Sequence, residues 1–156
     1  LDRFIFKVTV DYPSKQEELT ILDRMATSGS IADTKQVVDI ATVSESRKLV
    51  NQIYIDPAVR EYIVELVHNT RNPANVDPSL VPLIRVGASP RATINLALAA
   101  KARAFTQGRA FVTPQDVKDL APDVLRHRIL PSYEAEAEEI STDTIVERIL
   151  QKTIVP

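Results

Sequence analysis

The stretch Val86-Gly87-Ala88-Ser89-Pro90-Arg91-Ala92 has the residue types and spacing to do chemistry. Ser89 is a good helix N-cap and Pro90 suits the first helical position, so Arg91 falls in the first turn of the alanine-rich helix that follows. A cation there works against the helix macrodipole, at a cost of a few tenths of a kcal/mol up to about 1. The same placement makes an anion site, because free backbone N–H groups and a guanidinium both donate, and the guanidinium can grip two phosphate oxygens in parallel. A nucleotide phosphate is the natural ligand. The competing reading is that Arg91 pairs with a carboxylate of a neighbouring helix or points into solvent.

Other residues with chemical potential have simpler explanations. His68 lies inside a predicted helix and His127 near the end of another, and neither has a carboxylate or second histidine at ligand spacing, so no metal site is expected. Glu134, Glu136, Glu138 and Glu139 form an acidic run of the kind that solvates a surface. Arg126 and Arg128 are expected to complement carbonyls at their helix end, with a bound nucleotide or a neighbouring subunit as the alternative. With no cysteine, the chain has no disulfide, thiol nucleophile or cysteine metal ligand. A net charge of −2 without a clustered basic face argues against nucleic acid as a partner. No apolar run approaches the about 20 residues of a membrane span, so no membrane insertion is expected. The three glycines, Gly29, Gly87 and Gly108, lack the spacing of a phosphate-cradling P-loop, so this chain alone is not expected to hydrolyse a nucleotide.

These residues need elements to position them. Phe4 to Val10 alternates and is rich in aromatic and β-branched residues, which predicts a strand ended by Asp11-Tyr12-Pro13. Ser14 with Glu17 predicts a capping box and a helix to about Met25, broken by Thr27-Ser28-Gly29-Ser30. Thr34 to Val43 fits either an extended linker or a strand, and Ser44 to Gln52 a short surface helix. Asp56-Pro57 starts a helix to about Thr70, and Asn75 to Leu83, rich in proline, reads as a surface loop. The helix from Pro90 to Gln107 is expected to bury Ile94, Ala97, Leu98, Ala102 and Phe105 and to stop at Gly108. Thr113-Pro114-Gln115-Asp116 opens another helix, which Pro122 is expected to split. Ile129 to Tyr133 reads as extended, and Ser141 or Thr142 caps a last helix carrying Ile145, Val146, Ile149 and Leu150. With 44% hydrophobic and 26% charged residues, this is ordinary globular material, mainly α-helical, with a helical bundle from Pro57 on.

Gly87-Ala88-Ser89-Pro90-Arg91-Ala92, Ala99-Ala100-Lys101-Ala102, Gly108-Arg109, Thr113-Pro114-Gln115-Asp116-Val117 and Val124-Leu125-Arg126-His127-Arg128, in this order, resemble the C-terminal part of a MoxR-type AAA+ ATPase. The resemblance is densest from Gly87 to Arg128. It implies a helical lid domain over residues 53–156, preceded over 1–52 by a linker and by a strand and helix of the edge of an α/β nucleotide-binding core. It makes Arg91 the second-sensor residue on the phosphates of ATP, with Gly87, Ser89 and Pro90 shaping the turn that aims it. In the resembled proteins the arginine of an Asp-Arg-Phe turn is an arginine finger, which makes Arg3 of Leu1-Asp2-Arg3-Phe4 a candidate catalytic residue. Such fingers are worth about 10³ to 10⁵ in rate. Arg71, after Thr70, matches a Thr-Arg pair of the family, although dipole and loop contacts at its helix end explain it as well.

The resemblance further implies a longer ATPase using ATP and Mg²⁺, with the Mg²⁺ ligands elsewhere, and the absence of cysteine favours a cytoplasmic protein. It would form a ring, hexameric by similarity, of identical subunits that remodels or assembles client proteins, including ones with a von Willebrand factor A domain. A chelatase- or helicase-type AAA+ motor, or a non-enzymatic helical interaction module, are the alternative readings.

Overall fold

The computed structural model describes residues 1–26 and 34–156, so the predicted break at 27–30 lies outside the described residues. Seven helices are described: α1 (Lys15–Met25), α2 (Ile40–Gln52), α3 (Pro57–Arg71), α4 (Pro90–Thr106), α5 (Pro114–Leu125), α6 (Tyr133–Ala137) and α7 (Thr142–Lys152). A two-stranded antiparallel sheet pairs β1 (Ile84–Val86) with β2 (Leu130–Pro131), Ile84 opposite Pro131 and Val86 opposite Leu130. The core lies where α3, α4, α5 and α7 meet, and Leu66, Leu96, Leu125 and Ile145 are fully buried in it. Burial of one such side chain stabilises the fold by about 1.5–3 kcal/mol.

Helix boundaries follow the capping chemistry. The Asp56 carboxylate accepts from Ala58 N (2.9 Å) at the start of α3, and the Ser141 hydroxyl accepts from Thr144 N (3.1 Å) at the start of α7. At the end of α4, Gly108 takes φ +70°, its N–H donates to Phe105 O (2.9 Å), and Arg109 N donates to Ala104 O (2.9 Å). That pair of hydrogen bonds around a left-handed residue is a Schellman cap, which glycine makes without steric cost.

Several expectations change. Residues 6–14 form no strand, although Phe4–Val10 alternates, because no neighbouring strand offers them a ladder among the described residues. The undecided stretch Thr34 to Val43 has neither helix nor strand up to Asp39 and is helical from Ile40, with Asp39 accepting from Thr42 N (2.6 Å), so α2 joins its last four residues to the predicted surface helix. The proline-rich loop folds as two 3₁₀ turns, Pro73–Asn75 and Pro78–Leu83, that bury Pro73, Leu80 and Leu83. Pro122 does not split α5: one lost N–H donor is offset by the burial of Val117, Ala121, Val124 and Leu125 on one face.

The largest correction concerns the face of α4. Ala92, Leu96, Ala99, Ala100 and Ala104 are buried, Ala97 and Phe105 are half-buried, and Ile94, Leu98 and Ala102 are exposed. Small residues let α3 and α5 approach the α4 backbone closely, so the inward stripe is the one with fewer large side chains.

Candidate functional site

The turn between β1 and α4 is fixed from below by the end of α3. The Thr70 hydroxyl donates to Val67 O (2.7 Å) and accepts from Ala88 N (2.8 Å) in a fully buried position. Gly87 passes so close that a Cβ there would lie 2.4 Å from the Thr70 carbonyl oxygen and 2.7 Å from Arg71 Cγ. Only glycine fits, and the reason is this backbone approach. Ala88 is buried, and Ser89 then caps α4, its hydroxyl accepting from Arg91 N (3.3 Å), with Pro90 in the first turn. Sequence reasoning placed Gly87, Ser89, Pro90 and Arg91 together and missed Thr70, which holds the turn. Its neighbour Arg71 is exposed at the last turn of α3, where a cation suits the helix dipole.

Arg91 stands 65% exposed at this helix start, and its Nη1 lies 3.0 Å from Asp2 Oδ2. The carboxylate comes from the turn Leu1-Asp2-Arg3-Phe4, closed by Phe4 N donating to Leu1 O (2.9 Å), and not from a neighbouring helix. Ser89 also donates to Asp2, at 3.1 and 3.0 Å from its two carboxylate oxygens. Burial alone would raise the Asp2 carboxyl, but hydrogen bonds from Arg91 and Ser89 and the charges of Arg128 and Arg91 hold it below its ordinary value. The next residue, Arg3, is exposed, its guanidinium 5.6 Å from the Phe4 ring centroid. The structure therefore brings the turn that carries Arg3 and the helix start that carries Arg91 together, with Asp2 between them.

Arg128 is the buried clamp of this arrangement. Its Nη2 donates to Asp2 O (3.0 Å) and to Phe4 O, its Nη1 donates to Ile5 O (3.1 Å) and to Val124 O, and its Nε lies 3.2 Å from Asp2 Oδ1. Arg128 does complement a carbonyl of its own helix, as expected, yet three of its four acceptors belong to the N-terminal segment. Arg126 acts alongside: Nη1 donates to Lys7 O (2.6 Å), and the side chain pairs with Asp123 (2.5 Å) and Asp143 (2.8 Å). His127 Nε2 is 3.0 Å from Phe4 O, and burial pushes its imidazole below its ordinary pKa. These long-range roles of Arg126, His127 and Arg128 carry no sequence signal, because nothing in the spacing says that residues 2–7 return to the end of α5.

Two further motif residues are structural. Arg109 donates to the buried Asp116 from Nη1 (2.8 Å) and Nη2 (2.5 Å), and Asp116 also accepts from Thr113 N (2.8 Å) and Thr113 Oγ1 (2.9 Å). Burial pushes the Asp116 carboxyl up, but Arg109 and Thr113 bring it below the usual carboxylate range. Glu134, Glu136, Glu138 and Glu139 are exposed on and after α6. Among the described residues no group of three or more His, Cys, Asp or Glu could hold a metal ion. No described helix is long and apolar enough to cross a membrane.

Residues 81–149 match the family model of an AAA lid domain, which fits the mostly helical fold with its small two-stranded sheet. Over the whole chain the similarity is to MoxR proteins. The chain is 37% identical to Chaperone MoxR1 of Mycobacterium tuberculosis, with 99% of this chain and 41% of the relative aligned. It is 32% identical to Protein MoxR of Paracoccus denitrificans, over 89% of this chain and 45% of that protein. The crystal structure of a Cytophaga hutchinsonii protein superposes with TM-score 0.93 at 40% identity, covering 99% of this chain and 47% of that one. The chain belongs to the MoxR family of AAA+ ATPases. It spans somewhat under half the length of the relatives it matches.

Proposed function

We propose that this chain is the lid and sensor region of an ATPase that couples ATP hydrolysis to the remodelling or assembly of partner proteins. In this reading residues 1–52 are the edge of the nucleotide-binding core and a linker, and residues 53–156 are the lid. The observation that carries it is Arg91, mostly exposed in the first turn of α4 and held, among the described residues, by a single side-chain ion pair. An exposed pair of this kind is worth about 0–1 kcal/mol, so a polyanionic phosphate can compete for the guanidinium. The residues fit the group: Arg91 grips the phosphates of ATP bound in its own subunit, and Gly87, Ser89 and Pro90 fix the direction from which it does so. Bound ATP with Mg²⁺ supplies the phosphoryl group whose loss the lid registers, and the Mg²⁺ ligands lie outside this chain.

Arg3 is exposed on a closed turn, as a guanidinium reaching into a neighbouring subunit must be. It serves as the arginine finger of a hexameric ring of identical subunits, where it offsets charge on the transferring phosphoryl group. The clients are proteins, including ones with a von Willebrand factor A domain, and the assembly is cytoplasmic. Nucleic acid is not the substrate, since the net charge of −2 gives no field to attract it.

The test compares ATP turnover and affinity of the full-length protein with those of Arg91→Ala, after equal unfolding midpoints are confirmed. A turnover at least tenfold lower, about 1.4 kcal/mol of barrier, supports the sensor role. Unchanged turnover and affinity make Arg91 a surface ion-pair residue and favour a nucleotide-independent interaction module.

A further inference from the structure

The turn of Arg3 and the helix start of Arg91 are joined through a carboxylate that neither sensing role requires. Asp2 accepts from Ser89 and Arg91, and Arg128 holds the backbone of the same turn through the carbonyls of Asp2, Phe4 and Ile5. Arg128 is 4% exposed and anchored to Val124 O of α5, so its end of the clamp is rigid. The Asp2–Arg91 pair is the exposed and weaker end.

We propose that Asp2 and Arg128 are positioning residues that couple the two arginines: Asp2 competes with phosphate for Arg91, and the turn it anchors carries Arg3. This rests on the functional reading above and deepens it. When Arg91 turns to a phosphate in its own subunit it gives up Asp2, which keeps Ser89 and Arg128. The turn of Arg3 then loses one of its ties to α4 while Arg128 keeps hold of its carbonyls. The state of one subunit's nucleotide thereby alters the aim of the finger offered to the next. Coupling of this kind requires a differential contact in each state, and the Asp2–Arg91 pair supplies it.

The experiment uses the full-length protein with Asp2→Asn, which keeps the shape and removes the charge, and measures ATP affinity and turnover separately. Loss of a competing exposed ion pair predicts ATP binding tighter by about two- to fivefold. Loosening of the finger turn predicts turnover lower by about tenfold. In an Arg91→Ala background, Asp2→Asn leaves ATP affinity unmoved. Mere structural damage would weaken ATP binding, so tighter binding with slower turnover is a signature that a packing role does not give. Arg128→Lys, which keeps the charge but cannot reach all the carbonyls, is expected to slow turnover without tightening ATP binding. Weaker or unchanged ATP binding in Asp2→Asn overturns the competition, and unchanged turnover overturns the link to Arg3. Either result leaves the functional reading standing if Arg91→Ala and Arg3→Ala still lose activity, whereas full activity in both of those variants removes the reading itself.

Discussion

The body from Ile53 onward and the segment before it hold their shape in different ways. The body buries a continuous set of apolar side chains from Ile53 to Ile149, whereas α1 and α2 bury none. Local capping stabilises those two helices: Ser14 N and Oγ donate to Glu17 Oε2 at 2.8 and 2.7 Å, and Asp39 caps Thr42 N. Leu19, Ile21, Leu22 and Met25 of α1 remain exposed. Residues 1–7 are held in a third way, by arginines that grip backbone carbonyls, with Lys7 N donating to Asp123 O (2.9 Å) as the one backbone bond to α5. Apolar packing fixes the body, and polar contacts that a competing anion or a change of charge could release fix the segment carrying Arg3.

The sharpest way to break this contrast is to truncate one leucine in each region. Leu125→Ala, fully buried, is expected to destabilise the protein by about 3 kcal/mol or more, read as the shift of a chemical unfolding midpoint. Leu22→Ala, 58% exposed on α1, is expected to change it by less than about 0.5 kcal/mol. Equal effects would contradict the division.

Gly87→Ala tests the junction between body and site. The added Cβ meets the Thr70 backbone at 2.4 Å, and helix and turn must separate to admit it. A loss of about 1–3 kcal/mol in the same unfolding assay is expected, and under the proposed sensor role the full-length protein should bind ATP more weakly because the α4 start is displaced. Unchanged stability would mean that the turn is not fixed by Thr70.

The smallest effect concerns pH. Asp116 and Asp2 both have carboxyls lowered below their ordinary values when folded. Each therefore contributes stability that is complete above the unfolded carboxylate pKa of about 4 and is lost as pH falls through the lower folded value. Stability from this source should be flat from pH 7 to about pH 5 and decline below about pH 4, as followed by thermal unfolding. Arg109→Met should remove much of the decline that Asp116 causes, whereas Arg91→Ala should affect only the smaller share of the half-buried Asp2.

Much of this was legible in the sequence because it is local. Ser14 with Glu17, Asp56-Pro57, Ser89-Pro90, Thr113 with Asp116, and Gly108 each encode a helix end through chemistry spanning a few residues, and each stands where expected. Arg91 at the start of a helix was legible for the same reason. The α4 face was not, because close packing selects small Ala92, Ala99, Ala100 and Ala104 over Ile94 and Leu98, which reverses the rule that large apolar residues face inward. The strand over Phe4–Val10 was misread because alternation records compatibility with a sheet but does not supply a partner strand. Asp2, Thr70 and Arg128 were missed as partners since their contacts span 87, 18 and 126 positions in sequence.

In the proposed mechanism Arg91 exchanges Asp2 for a nucleotide phosphate. A structure of the full-length protein with a non-hydrolysable ATP analogue and Mg²⁺ would show this exchange. In that complex the Arg91 guanidinium is expected within hydrogen-bond reach of a phosphate oxygen, with its contact to Asp2 broken. An Arg91 still paired with Asp2 at about the present 3.0 Å, away from the phosphates, would contradict it.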